Sequence, residues 1–481
     1  MENRRLYLTG SWVDLENHFQ VADPGNGELL AKVPAAGAQE AQLALESASA
    51  ALPAWRGLTG MQRGDYLLAI AEVLSRRQEE IATVITRENG KPLAQSRGEV
   101  GMTIDHLRWF AEEARRAYGR IVPNQAAGKR HLVLKQPIGV VAAIAPWNFP
   151  LVLAARKVAP SLAAGCPTIL RPASQTPSCA IMLAEAVEEA GLPAGVFQLI
   201  AGPAEPIVRT FLDSPTCAKI TFTGSTEVGK KLVEGSAKRL TKLSLELGGH
   251  APVLAFADAD LDSTVEAVAV TKFRNTGQSC IASNRIYVER SIYEEFLKRF
   301  VDKAQSLKVG YGLEEGVEIG PLVNEEALRS ALEQIENAGQ AGGRVLCGGK
   351  KAEPGPGRPE QGFFLEPTVI ADVPAQAVCM NEETFAPVAP VVPFDSEEEA
   401  VRQANETRYG LAAYVFTSDL NRAFRLAEQL EAGTVCINDA VPATSNCPFG
   451  GMKESGQGRE LGIEGLEAFL ETKHVSISGM G

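Results

Sequence analysis

The sequence predicts an α/β protein built as two α/β units, the first a doubly wound parallel sheet, with a small β element beside them. Strands alternate with helices over about 110 residues between 138 and 247, the pattern of a parallel sheet covered on both faces. The alternation resumes between about 260 and 438. Two further segments, 130–137 and 472–478, alternate polar and apolar residues and fit neither sheet.

At 481 residues the chain exceeds one ordinary domain and can bury large cores. A net charge of −12 argues against nucleic acid and anionic membranes as partners. The first residues lack the apolar core of a signal peptide, and no apolar run is long enough to span a bilayer. Eight cysteines are scattered without a CxxC pair, so neither a metal cluster nor a disulfide scaffold is expected. A reducing, cytoplasmic setting is expected.

Taken in order, 7–35 reads as short strands with a turn at Pro24-Gly25-Asn26-Gly27. From 38 to 118 apolar residues recur with helical spacing, Tyr66, Leu67, Ile70, Ala71 and Leu74 forming one stripe. Asn89-Gly90-Lys91-Pro92 breaks that run. The small apolar stretch 138–145 reads as a strand buried on both faces. A helix to about Ala164 follows Pro150, then a strand at 168–171 and a helix from 177 to 190 ended by Gly191. Strands at 197–201, 219–223 and 243–247 complete the first sheet, with helices between them. The second unit reads as helix 260–272, strand 285–288, helix 291–306 and a Gly/Pro/Lys-rich loop at 348–362. Strands at 368–370, 388–393, 413–416 and 434–438 follow, with helices at 396–406 and 419–431.

Parallel sheets bind ligands at the carboxyl ends of their strands. The dinucleotide fingerprint GxGxxG is absent after 138–145, where the turn reads Pro146-Trp147-Asn148-Phe149-Pro150. A glycine turn comes later, at Thr223-Gly224-Ser225, after a strand and before a helix. Backbone N–H groups and the helix dipole there suit a phosphate. Residues 224–231 nearly spell a P-loop, but Lys231 stands where Ser or Thr must reach magnesium. A nucleotide triphosphatase is therefore one alternative, and a glycine turn without a ligand another. The second strand ends at Arg171, with Ser174 just beyond. A basic group at that position favours a 2′-phosphate and so NADP, with NAD also possible. The alternative is a helix-capping serine beside a solvated arginine.

Cys280 follows Gly277-Gln278 after a helical pattern. A thiol at such a turn can face a cleft and use its own N–H as an oxyanion donor, although most free cysteines are buried and inert. Glu246 sits at an apolar strand end, where burial raises a carboxyl toward general-base use. His250, four residues on, admits a Cys–His hydrolase as a rival reading; such an enzyme would need no nicotinamide.

Phe273, Gly277, Gln278, Cys280 and Ala282 match the cysteine signature of the aldehyde dehydrogenases. Leu245-Glu246-Leu247-Gly248-Gly249 matches the glutamate signature of the same family. The turns at 146–150, 222–225, 383–387 and 448–451 match as well, so the resemblance spans essentially the whole chain. It implies a Rossmann-like NAD(P)-binding domain at 1–122 and 138–250 and a catalytic domain at 251–447. Oligomerisation strands at 123–137 and 465–481 would serve a homodimer or homotetramer. In this resemblance Cys280 attacks the aldehyde, Asn148 and the Cys280 N–H hold the oxyanion, and Glu246 activates the hydrolytic water. Trp147, Arg171, Ser174, Gly224, Ser225, Glu383 and Phe385 would line the cofactor site. The chain departs from the family's common lysine at Arg171 and common asparagine at His250. Arg156 and Arg274 resemble the arginines with which succinate-semialdehyde dehydrogenases clamp the far carboxylate. A serine of that subfamily is replaced by Ala443, and Thr444 or Ser445 could substitute. The resemblance thus implies NAD(P)-dependent oxidation of an ω-carboxylate aldehyde, succinate semialdehyde first. Glutarate semialdehyde and a generalist aldehyde dehydrogenase are the alternatives.

Overall fold

The apolar run at 138–145 folds as strand Val140–Ile144, every residue buried, and occupies the middle of an eight-stranded sheet. In this computed structural model, which describes residues 1–479, the sheet order is Gly456–Gln457, Lys242–Glu246, Cys217–Thr223, Val140–Ile144, Thr168–Arg171, Phe197–Leu199, Leu6–Leu8, Ser11–Val13. The five strands from Lys242–Glu246 to Phe197–Leu199 are parallel. The flanking strands run antiparallel to their neighbours. Register aligns the carboxyl ends: Ile144 pairs with Arg171 and with Phe222, and Thr223 pairs with Glu246. The Asn148 turn, Arg171, the Gly224 turn and Glu246 therefore share one edge of the sheet.

Helix Val152–Ala164 lies against strands Val140–Ile144 and Thr168–Arg171 and has no exposed residue. Its outer side is covered by helices Gly60–Arg76 and Leu93–Glu113. The break at 89–92 is a left-handed cap, Gly90 having φ +92°.

The second sheet has seven strands, in the order Arg344–Cys347, Thr368–Ala371, Val388–Phe394, Ser283–Glu289, Ala251–Ala255, Ala412–Phe416, Thr434–Ile437. All but the first are parallel to their neighbours. Strand Ala251–Ala255 was not foreseen, because Pro252 argues against a central strand. The register shifts between Ala251 and Pro252, so the proline sits at an irregularity of the ladder. Helix Glu325–Gln340 was also unforeseen, although Leu328, Ala331, Ile335 and Ala338 carry its buried stripe and Asn324 caps it by accepting from Ala327 N–H at 2.9 Å.

The tail strand Leu470–Ser478 finds its partner within the chain. It pairs antiparallel along its whole length with Lys129–Pro137, which pairs in turn with Arg120–Val122. This small sheet begins at Arg120, three residues before the expected boundary, and the last two residues of the expected 465–481 segment lie outside the described residues. No helix among the described residues is long and apolar enough to cross a membrane.

Helix Leu261–Phe273, which leads to the cysteine turn, starts where Asp260 accepts from Ser263 N–H at 2.7 Å. Its last residue, Phe273, stacks on Phe300 at 5.8 Å, and Phe300 stacks on Phe296 at 5.4 Å. Phe300 is fully buried. Phe300→Ala should lower stability by about 3–5 kcal/mol, measured as a reduced urea midpoint. The disturbance should reach the cysteine turn through Phe273, read as faster alkylation of Cys280 below the unfolding transition.

Candidate active site

The cysteine turn is tighter than one glycine makes it. After Phe273 the residues Asn275, Thr276 and Gly277 all have positive φ, at +51°, +57° and +73°. Two non-glycine residues in the left-handed region store strain, and such strain persists only where surrounding contacts enforce it. Here the Asn275 side chain donates to the Asn148 and Gln278 carbonyls at 2.9 and 3.1 Å. Gly249 supplies the facing surface; a Cβ there would lie 2.0 Å from the Cys280 carbonyl oxygen. The fifth position of the glutamate signature thus makes room for the cysteine loop.

Cys280 is partly exposed, whereas six of the other seven cysteines are buried. It lines two cavities. One holds Arg156, Arg274, Phe149, Met102, Ala443 and Phe449 on its walls. The other is lined by Trp147, Asn148, Gly224, Ser225, Glu383 and Phe385. Cys280 is the one residue common to both.

In the second cavity Ser225 caps helix Thr226–Ser236, leaving the amides of its first turn directed at the cleft mouth. The Glu383 carboxyl accepts from Gly249 N–H at 3.1 Å and is pushed up to about 8 by burial. Phe385 is held at φ +45°, with its ring edge-on to Trp147 at 5.5 Å. Arg171 stands at the end of its strand and donates to the Gly202 carbonyl at 2.8 Å. Ser174 is half-buried beyond it, and neither residue lines this cavity.

In the first cavity two guanidinium groups lack a carboxylate partner among the described residues. Arg156 is 6 % exposed, and its Nε has no hydrogen-bond partner. It lies 4.9 Å from the Phe449 ring centroid. Arg274 lies over Phe149 at 5.2 Å and within 4.0 Å of the Met102 sulfur. The expectation for Ser445 is corrected. Ser445 is buried, its carbonyl accepts from Gly462 N–H at 2.9 Å, and it does not line the cavity; Val441, Pro442 and Ala443 supply that wall.

Glu246 is 4 % exposed, its Oε2 without a partner. Burial and the neighbouring Glu460 carboxylate hold its proton well above the usual carboxyl range, against the pull of Lys157 and Arg156. Glu460 is paired with Lys157, which also donates to Thr223 Oγ1 at 2.6 Å. Sequence reasoning missed both. A lysine beside Arg156 in an otherwise apolar helix was an available signal for Lys157; Glu460 had none.

The rival readings lose their geometry. Both ring nitrogens of His250 are buried without partners, the ring lies 6.1 Å from Tyr409, and it lines a cavity separate from Cys280. No Cys–His dyad forms. Lys230 pairs with Glu454 at 3.0 Å and Lys231 is exposed, so the near P-loop offers no lysine to a phosphate.

Burial and Glu383 push the Cys280 thiol up to about 12, while Arg156 and its own N–H draw it down. Alkylation by iodoacetamide at neutral pH should be slow and should quicken with rising pH, because the thiolate is the reacting form. Arg156→Met removes a cation that favours the thiolate, so its rate profile should move to higher pH. An unchanged profile, followed by mass spectrometry at Cys280, would contradict this coupling.

Residues 12–475 match the model of the aldehyde dehydrogenase family. The chain is 45% identical to the NADP⁺ succinate-semialdehyde dehydrogenase of Escherichia coli K12, over 98% of each chain. It is 44% identical to a glutarate-semialdehyde dehydrogenase of Pseudomonas aeruginosa, over 99% of this chain and 98% of the relative. The crystal structure of an NADP-dependent enzyme from E. coli superposes with a TM-score of 0.97 at 44% identity, covering 99% of this chain and 98% of the other. With thiol, buried carboxyl and paired cavities arranged as described, and this similarity along its length, the chain belongs to the aldehyde dehydrogenase family.

Proposed function

We propose that the protein oxidises an aldehyde bearing a distal carboxylate, succinate semialdehyde first, with NADP as the preferred acceptor and NAD as the alternative. The observation that carries the substrate class is the pair Arg156 and Arg274. Burying a guanidinium without a counter-charge is costly, and these two face one cavity that ends at the thiol. A substrate carboxylate would supply the missing partner while its aldehyde carbon reaches Cys280. Glutarate semialdehyde carries the same two groups, one methylene further apart, and is the second reading; a relative of that name is 44% identical.

The cofactor reading draws on the second cavity. Gly224 and Ser225 at a helix N-terminus suit a pyrophosphate, Glu383 suits the hydroxyls of a ribose, and Phe385 with Trp147 gives a flat apolar wall. Arg171 retains donors beyond its bond to Gly202, which favours a 2′-phosphate. Bound there, a nicotinamide dinucleotide supplies the acceptor for the hydride that leaves the aldehyde carbon.

The chain's own groups do the rest. Once its proton has passed to solvent water, the Cys280 thiolate adds to the carbonyl carbon, leaving an oxyanion on a thiohemiacetal. One Asn148 Nδ2 hydrogen already donates to the Gln278 carbonyl at 3.2 Å, leaving the second for that oxyanion. The Cys280 N–H, which bonds no other described residue, is the second donor. Oxidation leaves a thioester on Cys280. Glu246 takes a proton from water, the hydroxide adds to the thioester carbon, and the sulfur departs with the carboxylic acid released. The small sheet 120–137 with 470–478 is the proposed surface for association into a dimer or tetramer, in a cytoplasmic enzyme.

Arg274→Ala should raise KM at least about tenfold for succinate and glutarate semialdehydes and change it little for a neutral aldehyde of equal length. An equal effect on all three, in initial-rate assays with NAD and NADP, would reject the carboxylate clamp. Glu460→Gln removes the anion that raises Glu246. Glu246 should then lose its proton at lower pH, so the acid limb of the kcat profile should move down; an unmoved or upward-moved limb would remove Glu246 as the base.

A further inference from the structure

Lys91 and Glu99 form an ion pair at 2.6 Å with both side chains wholly buried, and nothing in the chemistry above uses it. Lys91 belongs to the break at 89–92, and Glu99 lies two turns along helix Leu93–Glu113. Both reach the segment 146–151, which lies outside any strand or helix and so has no ladder to fix it. The Lys91 ammonium donates to the Asn148 carbonyl at 2.6 Å and sits 3.9 Å from the Phe149 ring centroid. Glu99 Oε1 accepts from Leu151 and Val152 N–H at 2.9 and 3.3 Å. Asn89 Nδ2 adds a bond to the Trp147 carbonyl at 3.0 Å. From the opposite side Asn275, in the cysteine turn, donates to the same Asn148 carbonyl.

The Asn148 carbonyl is thus held by both a buried ammonium and the cysteine loop. A buried ion pair is weak evidence of added stability, because desolvation offsets its attraction. Its geometric effect is firmer. An ammonium with three donors, locked by a carboxylate that also binds the backbone amides of Leu151 and Val152, restricts the Asn148 backbone from both ends of the turn. The direction of the Asn148 side chain follows from that position, and an oxyanion donor misplaced by about 1 Å loses most of its effect.

We propose that Lys91, held by Glu99, is a positioning residue that aims the Asn148 amide at the oxyanion formed on the Cys280 adduct. This rests on the reading of Asn148 as an oxyanion donor. Lys91 touches no reacting atom and acts through the Asn148 carbonyl. The role holds for any aldehyde the enzyme oxidises, so it is independent of the carboxylate clamp.

The test is a double-mutant cycle of Lys91→Met with Asn148→Ala, assayed as kcat and KM with an aldehyde that the unsubstituted enzyme oxidises. Lys91→Met alone should lower kcat by about 10²-fold, the scale of losing one oxyanion donor, with aldehyde KM within about twofold. In the Asn148→Ala background it should cost less than about twofold more. The rate of Cys280 alkylation should not move, because the sulfur is not what Lys91 places. Should the uncompensated Glu99 prevent folding, the pair Lys91→Met/Glu99→Gln, which leaves no lone charge, runs through the same cycle with the same expectation. Retention of kcat within twofold, equal losses in both backgrounds, or a changed alkylation rate would overturn the proposal. Full activity in Asn148→Ala alone would instead overturn the oxyanion assignment beneath it, a separate outcome of the same four proteins.

Discussion

Helix Val152–Ala164 has no solvent-facing side, and it nevertheless carries two adjacent cations. That constraint shapes the site. Neighbouring residues on a helix point about 100° apart, so Arg156 and Lys157 must answer to different surroundings. Lys157 finds Glu460 and the hydroxyl of Thr223, and through Glu460 it sets the electrostatics of Glu246. Arg156 finds an aromatic ring and a cavity. One buried element thus serves the carboxyl on the first sheet and the approach to the thiol on the second unit. The helix begins where Glu99 accepts its first amide groups, so the same carboxylate that steadies the Asn148 turn also starts it.

Much of this was legible before the fold was seen. Both sheets follow from alternation, and the four motifs at strand ends converge because parallel strands bring their carboxyl ends to one edge. Cys280, Asn148, Glu383 and Phe385 were nameable from family motifs, and Arg156 with Arg274 from their resemblance to the arginines of succinate-semialdehyde dehydrogenases. What resisted reading has a physical pattern. Strand Ala251–Ala255 hid behind a proline that the ladder accommodates at an irregularity. The strand at Gly456–Gln457 is too short for any periodicity. Glu460 pairs with a lysine hundreds of residues away and Glu99 reaches amides tens of residues away, which spacing along the chain does not encode. Ser445 was expected at the wall because a loop between fixed points can present any of several neighbouring residues; Val441, Pro442 and Ala443 are the ones that line it.

The cysteine turn shows the same division between local and distant causes. Glycine at 277 was readable as a turn, but Asn275 and Thr276 also enter the left-handed region. Their conformation is imposed by contacts from the Asn148 segment and the Gly320 region, where Thr276 Oγ1 bonds the Gly320 carbonyl at 3.2 Å. Strain at that turn is held by residues of both units, so the sulfur's position depends on their docking and not on the turn sequence alone.

Cys280 is the only wall shared by the two cavities. The two halves of the active site can therefore change independently. A substitution at Met102, Ala443 or Arg274 alters the wall of one cavity without touching that of the other, and one at Trp147, Ser225 or Glu383 does the reverse. Such insulation lets one scaffold diversify its carbonyl partners stepwise while the redox half stays intact, so selection can act on each face as a separate trait.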